Sequence, residues 1–102
     1  MSVTAITSDD KKTVDIHVAE QFDYSAHQSF REAYRFVDQP GTLFRVNLSK
    51  ATYMDSSALG MILLLKEHAD SLSGKVVLFQ PNSAVNKILS IAKFDQFVSI
   101  EA

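Results

Sequence analysis

The chain contains no cysteine and no tryptophan, and only three glycines and two prolines among its 102 residues. Without cysteine there are no disulfides, no thiolate metal sites and no cysteine nucleophiles, a usage that suits a reducing cytosol. Gly41, Gly60 and Gly74 are too scattered to assemble a phosphate-cradling loop or a dinucleotide fingerprint. Neither sign of charge dominates: ten Lys and Arg stand against twelve Asp and Glu, for a net charge of −2, which leaves no electrostatic footprint for nucleic acid. The longest apolar run, Met61 to Leu65, falls far short of the roughly 20 residues that cross a bilayer. The opening Met1-Ser2-Val3-Thr4 lacks the basic and apolar regions of a secretory signal. These absences lead us to expect one cytoplasmic domain over residues 1–102, with no membrane insertion and no nucleic-acid partner. What the chain does have is an ordinary foldable composition, 46% apolar and 22% charged.

The hydropathy period changes repeatedly. Val3 to Thr7 is a β-prone run, and Ser8 to Lys12 is polar and turn-like. Val14, Ile16 and Val18 alternate with Asp15 and His17, so the two segments predict a hairpin. Phe22, Ala26, Phe30, Ala33, Tyr34 and Val37 then recur at three and four residues, which predicts a helix started by Asp23 or Ser25 and stopped by Pro40-Gly41. Leu43 to Leu48 reads as a strand. Ser57 to Leu72 reads as a second helix, with Asp55 or Ser56 at its head and Gly74 past its end. Val76 to Phe79 suits a central strand. A third helix over 84–92 follows the turn Pro81-Asn82-Ser83, and Phe97 to Ile100 closes as a strand. The order β-β-α-β-α-β-α-β predicts an α/β domain with a mixed sheet and helices packed against it. Its core should include Phe30, Tyr34, Ile62, Leu63 and Ile88.

Searches for catalytic patterns fail. His17, His27 and His68 lie on a strand and two different helices, without metal-ligand spacing, and no metal or cofactor is expected. Ser56 and Ser57 are flanked by Asp55 and Ala58 rather than by the glycines of a hydrolase elbow. Asp9 and Asp10 fall in a turn. The domain is therefore not expected to be an enzyme.

One segment is chemically unusual: Tyr53-Met54-Asp55-Ser56-Ser57-Ala58-Leu59-Gly60. A strand end passes through a short loop into a helix, where free N–H groups and the positive end of the helix dipole could receive a phosphoryl group on Ser56. Capping alone is the simpler account of Asp55, Ser56 and Ser57. Met54, Ala58 and Met61 beside them could form an apolar docking patch, with ordinary core packing as the alternative.

The run from Val46 to Gly60 resembles the signature of STAS domains, the sulfate transporter and anti-sigma factor antagonist family, and within it the free-standing anti-sigma factor antagonists. Their pattern is a strand ending in Asp-Leu-Ser, a spacer, an aromatic and an aliphatic residue, then Asp-Ser-Ser-Gly-Leu-Gly. Val18 to Asp23 matches the family's Leu-x-Gly-x-Leu-Asp segment, and the tail from Val76 through Asn82 to Phe97 follows its last strand and helix. Three positions depart from the pattern: Asn47 replaces Asp, Glu20 stands at a Gly, and Ala58 replaces the Gly after the serines.

The resemblance implies partner switching. Ser56 would be the phosphoacceptor, and Asp23, Tyr24, Met54, Asp55, Ser57, Ala58 and Met61 would contact the partner. The unmodified domain would bind an anti-sigma factor or serine protein kinase and so release a sigma factor. Phosphorylation would break that complex and a serine phosphatase would restore it, making the domain a bacterial regulator of transcription. The alternative within the same family is a structural STAS subunit of a bacterial lipid-transport ABC complex, using the same surface without phosphorylation.

Overall fold

The computed structural model describes residues 3–102. Five strands form one sheet in chain order: β1 (Val3–Thr7), β2 (Thr13–Phe22), β3 (Leu43–Met54), β4 (Lys75–Phe79) and β5 (Ser99–Glu101). β1 and β2 are the expected antiparallel hairpin, and every other neighbouring pair is parallel. Helices α1 (His27–Glu32), α2 (Ser56–Ser71) and α3 (Ser83–Ile91) occupy the crossovers, as a parallel sheet requires. The element order is the expected one.

Alternation decides the sheet's two faces. Val14 and Ile16 of β2, Phe44 and Val46 of β3, and Val76 and Leu78 of β4 are buried in register with one another, and Val18 and Leu48, at the first register shift between β2 and β3, are buried as well. The Phe44 ring meets His68 of α2, and Phe22 at the end of β2 meets Phe30 of α1, so both helices lie on this covered face. The opposite face is more polar. There Arg45 reaches Asp15 at 3.4 Å and lies over the Phe79 ring at 4.4 Å.

Three boundaries differ from expectation. The first helix is short, because Phe22 remains in β2, paired with Met54, and Tyr24–Ala26 form a single 3-10 turn before α1. Beyond Glu32 the chain continues as turns, yet Ala26, Phe30 and Tyr34 still share the buried side that their spacing marked. β3 runs on to Met54 instead of stopping at Leu48, because residues 50–54 keep pairing with β2 across two register shifts. The last strand starts at Ser99, since Phe94–Gln96 form a 3-10 turn that leaves Phe97 largely exposed.

Two backbone positions carry the departures of sequence most visibly. Glu20 has φ of 64° at the second register shift between β2 and β3, a left-handed conformation that glycine adopts without its side-chain penalty. At the end of α2 the left-handed residue is Ser73, not Gly74. Ser73 N–H donates to Asp70 and Gly74 N–H to Ala69, which closes the helix in a Schellman motif. Gly74 is needed for another reason: a Cβ there would stand 2.1 Å from the carbonyl oxygen of Thr42.

Candidate functional site

β2 and β3 end side by side, Phe22 opposite Met54, and each chain then turns into a helical segment through an aspartate. Asp23 Oδ1 accepts the Ser25 N–H at 3.0 Å and the Ser25 hydroxyl. Asp55 Oδ1 accepts the Ser57 N–H at 3.0 Å, the Ser57 hydroxyl at 2.6 Å and the Ala58 N–H at 3.3 Å. The two corners are joined by the Asp55 N–H, which donates to the Phe22 carbonyl at 3.4 Å. The Ser57 hydroxyl, with the N–H groups of Ala58 and Ser57, holds the Asp55 carboxyl below its ordinary value, so it is ionised at neutral pH.

The two serines of α2 therefore differ. Ser57 is half-buried and its hydroxyl is committed to Asp55. Ser56, the first helical residue, is exposed, and its hydroxyl makes no hydrogen bond among the described residues. The N–H groups expected to receive a phosphate are in part already taken, because the Asp55 carboxylate occupies those of Ser57 and Ala58.

The expected docking residues separate into two groups. Tyr24 is 70% exposed, and Asp23, Asp55 and Ser57 are half-buried. Met54 and Met61 are only 1% and 4% exposed and Ala58 is closed to solvent, so these three do not form a surface patch. Met54 ends β3 with its side chain in the core, while Ala58 and Met61 share the α2 face with Ile62, Leu65 and Ala69. The exposed stripe of α2 is instead Ser56, Gly60 and Leu64, one turn apart from each other. Tyr53 is exposed beside it. The i, i+4 spacing in the sequence already carried that stripe, and for Met54, Ala58 and Met61 the structure shows core packing, the alternative the sequence left open.

Of the three histidines, His17 is exposed on β2, while His27 and His68 line one cleft between α1 and α2. His68 Nε2 lies 2.7 Å from the Val37 carbonyl oxygen. Among the described residues, no three His, Asp or Glu side chains cluster as metal ligands, and no helix is long and apolar enough to cross a membrane.

The STAS domain family model matches residues 4–102. The chain belongs to the STAS domain family. A curated STAS-domain containing protein of Pseudomonas aeruginosa, PA14_20770, is 42% identical over 100 residues, which cover 98% of this chain and 99% of that protein. Among solved structures, TM1081 of Thermotoga maritima, named as a candidate anti-sigma factor antagonist, aligns with a TM-score of 0.79 at 21% identity, covering 98% of this chain and 86% of its own. The anti-sigma factor antagonist SpoIIAA in its unphosphorylated form aligns at 0.68 and 19% identity, with the same coverage. These two likenesses establish the STAS fold. In this STAS domain Asn47, standing where the family pattern has Asp, still acts as an acceptor: its Oδ1 receives the Ser49 N–H at 2.9 Å. Ala58 fits a first-turn position that favours Ala over Gly.

Proposed function

We propose that this STAS domain is an anti-sigma factor antagonist whose binding is gated by phosphorylation of Ser56. The observation that carries the reading is the contrast within the serine pair: Ser56 presents an exposed hydroxyl without a hydrogen bond, while the Ser57 hydroxyl holds Asp55. A kinase can reach the first without dismantling the helix cap. The unmodified corner, with Tyr24 and the Gly60–Leu64 stripe around it, binds an anti-sigma factor or serine protein kinase. A phosphoryl group adds about −1.5 to −2 charges beside the ionised Asp55, and burying that charge against a partner is costly. The complex dissociates, and a serine phosphatase resets it. The output is release or capture of a sigma factor in the bacterial cytoplasm.

Because Asp55 already takes the nearest N–H groups, the added phosphate stays outside the cap and acts on the partner rather than on the fold. Ser56→Asp is expected to weaken binding to the cognate anti-sigma factor in titration calorimetry, Ser56→Ala to preserve it, and circular dichroism to show both folded. Peptide mass spectrometry of the protein from its native cell should place phosphate on Ser56 and not on Ser57. Equal affinities for the two Ser56 variants, together with constant co-purification with an ATPase, would replace this reading with the structural subunit of a lipid-transport complex.

A further inference from the structure

The two edges of the sheet are finished differently. β5 is three residues long and ends at Glu101, and both shortness and charge blunt an edge against further pairing. β1 has neither: Val3-Thr4-Ala5-Ile6-Thr7 carries no charge and no proline, and it pairs with β2 without a register shift. The hairpin turn fixes which backbone groups face outward. The Ser8 N–H donates to the Thr13 carbonyl at 2.9 Å, so by strand alternation the backbone groups of Ile6 and Thr4 also face β2. Val3, Ala5 and Thr7 therefore turn their N–H and C=O groups away from β2, and no described backbone lies across that edge to receive them.

The side chains add an independent observation. Ala5 and Thr7 stand on the helix-covered face, opposite Ile16 and Val14, which are closed to solvent. Both are nonetheless exposed, so the helix layer stops short of this edge. Phe36, 75% exposed in the turns after α1, lines a groove with Thr7 and Lys11 at one end of β1. Gln28 of α1 lines a second groove with Val3 at the other end. On the opposite face Ile6 is 61% exposed.

We propose that β1 is a dimerisation edge: two copies of this chain pair through antiparallel β1 strands, with the two-fold axis at Ala5, to form one continuous sheet. The outward groups select a second copy as the occupant. They lie at Val3, Ala5 and Thr7, symmetric about Ala5, so a two-fold axis there pairs Ala5 with Ala5 and Val3 with Thr7 and leaves no outward N–H or C=O of the strand unbonded. Ala5, at the axis where two identical side chains meet, is the smallest residue of the strand. The other pairs set Val3 beside Thr7 and Thr4 beside Ile6, β-branched against β-branched, with no charge opposed to its like. Antiparallel pairing also brings the Thr7 end of one copy to the Val3 end of the other. The exposed Phe36 ring is thereby carried toward the Gln28 groove of the second copy, which extends the buried area beyond the strands. None of these residues belongs to the Ser56 corner, and the pairing is independent of phosphorylation.

Sedimentation equilibrium of the full chain tests the pairing. At about 0.1 mM the wild type should show a mass approaching twice its 11.3 kDa. Ala5→Lys, which opposes two like charges at the axis, should weaken association about tenfold or more. Ala5→Pro should do the same, because it removes an outward N–H and spares the bonds to β2. Circular dichroism checks both folds, and Ala5→Lys alone decides if Ala5→Pro unfolds. Phe36→Ser should weaken association less, while Ile91→Ser, which removes an equally exposed apolar group on α3, should leave it unchanged. Because the chain has no cysteine, Ala5→Cys reports the register. Cα atoms of a hydrogen-bonded antiparallel pair stand about 5.5 Å apart, within disulfide reach, so mild oxidation should link two copies faster than it does for Ile91→Cys. A monomeric wild type at that concentration, a folded Ala5→Lys domain that associates as the wild type does, or equal cross-linking of the two cysteine variants would each overturn the proposal. So would oligomers that keep growing past the dimer, which mark an open head-to-tail contact instead of a closed two-fold.

Discussion

The corners at the ends of β2 and β3 are two versions of one design. Phe22-Asp23-Tyr24-Ser25-Ala26 and Met54-Asp55-Ser56-Ser57-Ala58 share the same sequence of roles: a buried apolar residue, a capping aspartate, an exposed middle residue, a serine bonded back to the aspartate, and a buried alanine. They differ in what the cap supports and in what the middle position shows to solvent. Asp23 starts a single 3-10 turn and a six-residue helix, whereas Asp55 starts a helix of sixteen residues. The middle residue is Tyr24 in one and Ser56 in the other. Four of the five positions are thus used by the turn itself or by the core, and the middle one is left facing solvent. This is the physical reason for separating Ser56 from its neighbours.

The first corner is held by aromatic packing, with Phe22 and Phe30 rings 5.1 Å apart and Tyr34 6.0 Å beyond. Phe30→Ala should therefore cost roughly 3–5 kcal/mol in a chemical melt. A loss below about 1 kcal/mol would show that the short α1 is not anchored through this ring.

The caps should rank with the length of the helices they start. Asp55→Ala is expected to cost about 1–2 kcal/mol and Asp23→Ala less than about 1 kcal/mol, both read from urea midpoints. The reverse order would mean that the two aspartates, alike in sequence, carry different loads from those their hydrogen bonds suggest.

Glu20 sharpens the contrast from the approach to the corner. Its left-handed backbone sits on the β2 side, where β3 has no counterpart. Glu20→Gly should raise stability by up to about 1 kcal/mol, because a left-handed side chain costs roughly 1–2 kcal/mol and glycine's extra chain entropy takes part of that back. A destabilised Glu20→Gly domain would show that the Glu20 side chain contributes more than its conformation costs.

The smallest effect is with acid. The Asp55 carboxyl lies below its ordinary value of 3.8 in the fold. A depressed group favours the fold above that value, and its contribution disappears as pH falls through the folded value. Below about pH 4 the stability of the wild type should therefore drop more steeply than that of Asp55→Asn. Asp10, also lowered by its bond to the Ser8 hydroxyl, leaves a residual slope in both.

Much of this architecture was legible before any coordinate. Alternation in Val14–Val18 and the three-four spacing of Ala26, Phe30 and Tyr34 identify the covered face because burial imposes those periods directly. The extension of β3 to Met54 was not legible, since Ser49, Lys50 and Thr52 have no alternation and are strand only because β2 is beside them. Met54, Ala58 and Met61 could be read as docking surface or as core, because apolar residues next to polar ones are ambiguous until the neighbouring strand is placed. The cleft pairing His27 with His68 joins residues from two crossovers, and no local pattern can announce it.

Asn82 connects two ledgers of motion that otherwise look separate. β3 is bonded to β2 along nearly its whole length but to β4 only from Leu43 to Asn47, so its distal half has one open edge. Asn82 covers part of that edge: its Nδ2 donates to the Ala51 carbonyl at 2.9 Å while its Oδ1 caps α3 through the Val85 N–H at 2.8 Å. One side chain thus couples fraying of α3 to opening of the strand that carries Asp55 and Ser56. Asn82→Asp would retain the cap and lose the donor. Hydrogen exchange would then quicken along residues 50–54 while α3 stayed protected, uncoupling the two openings.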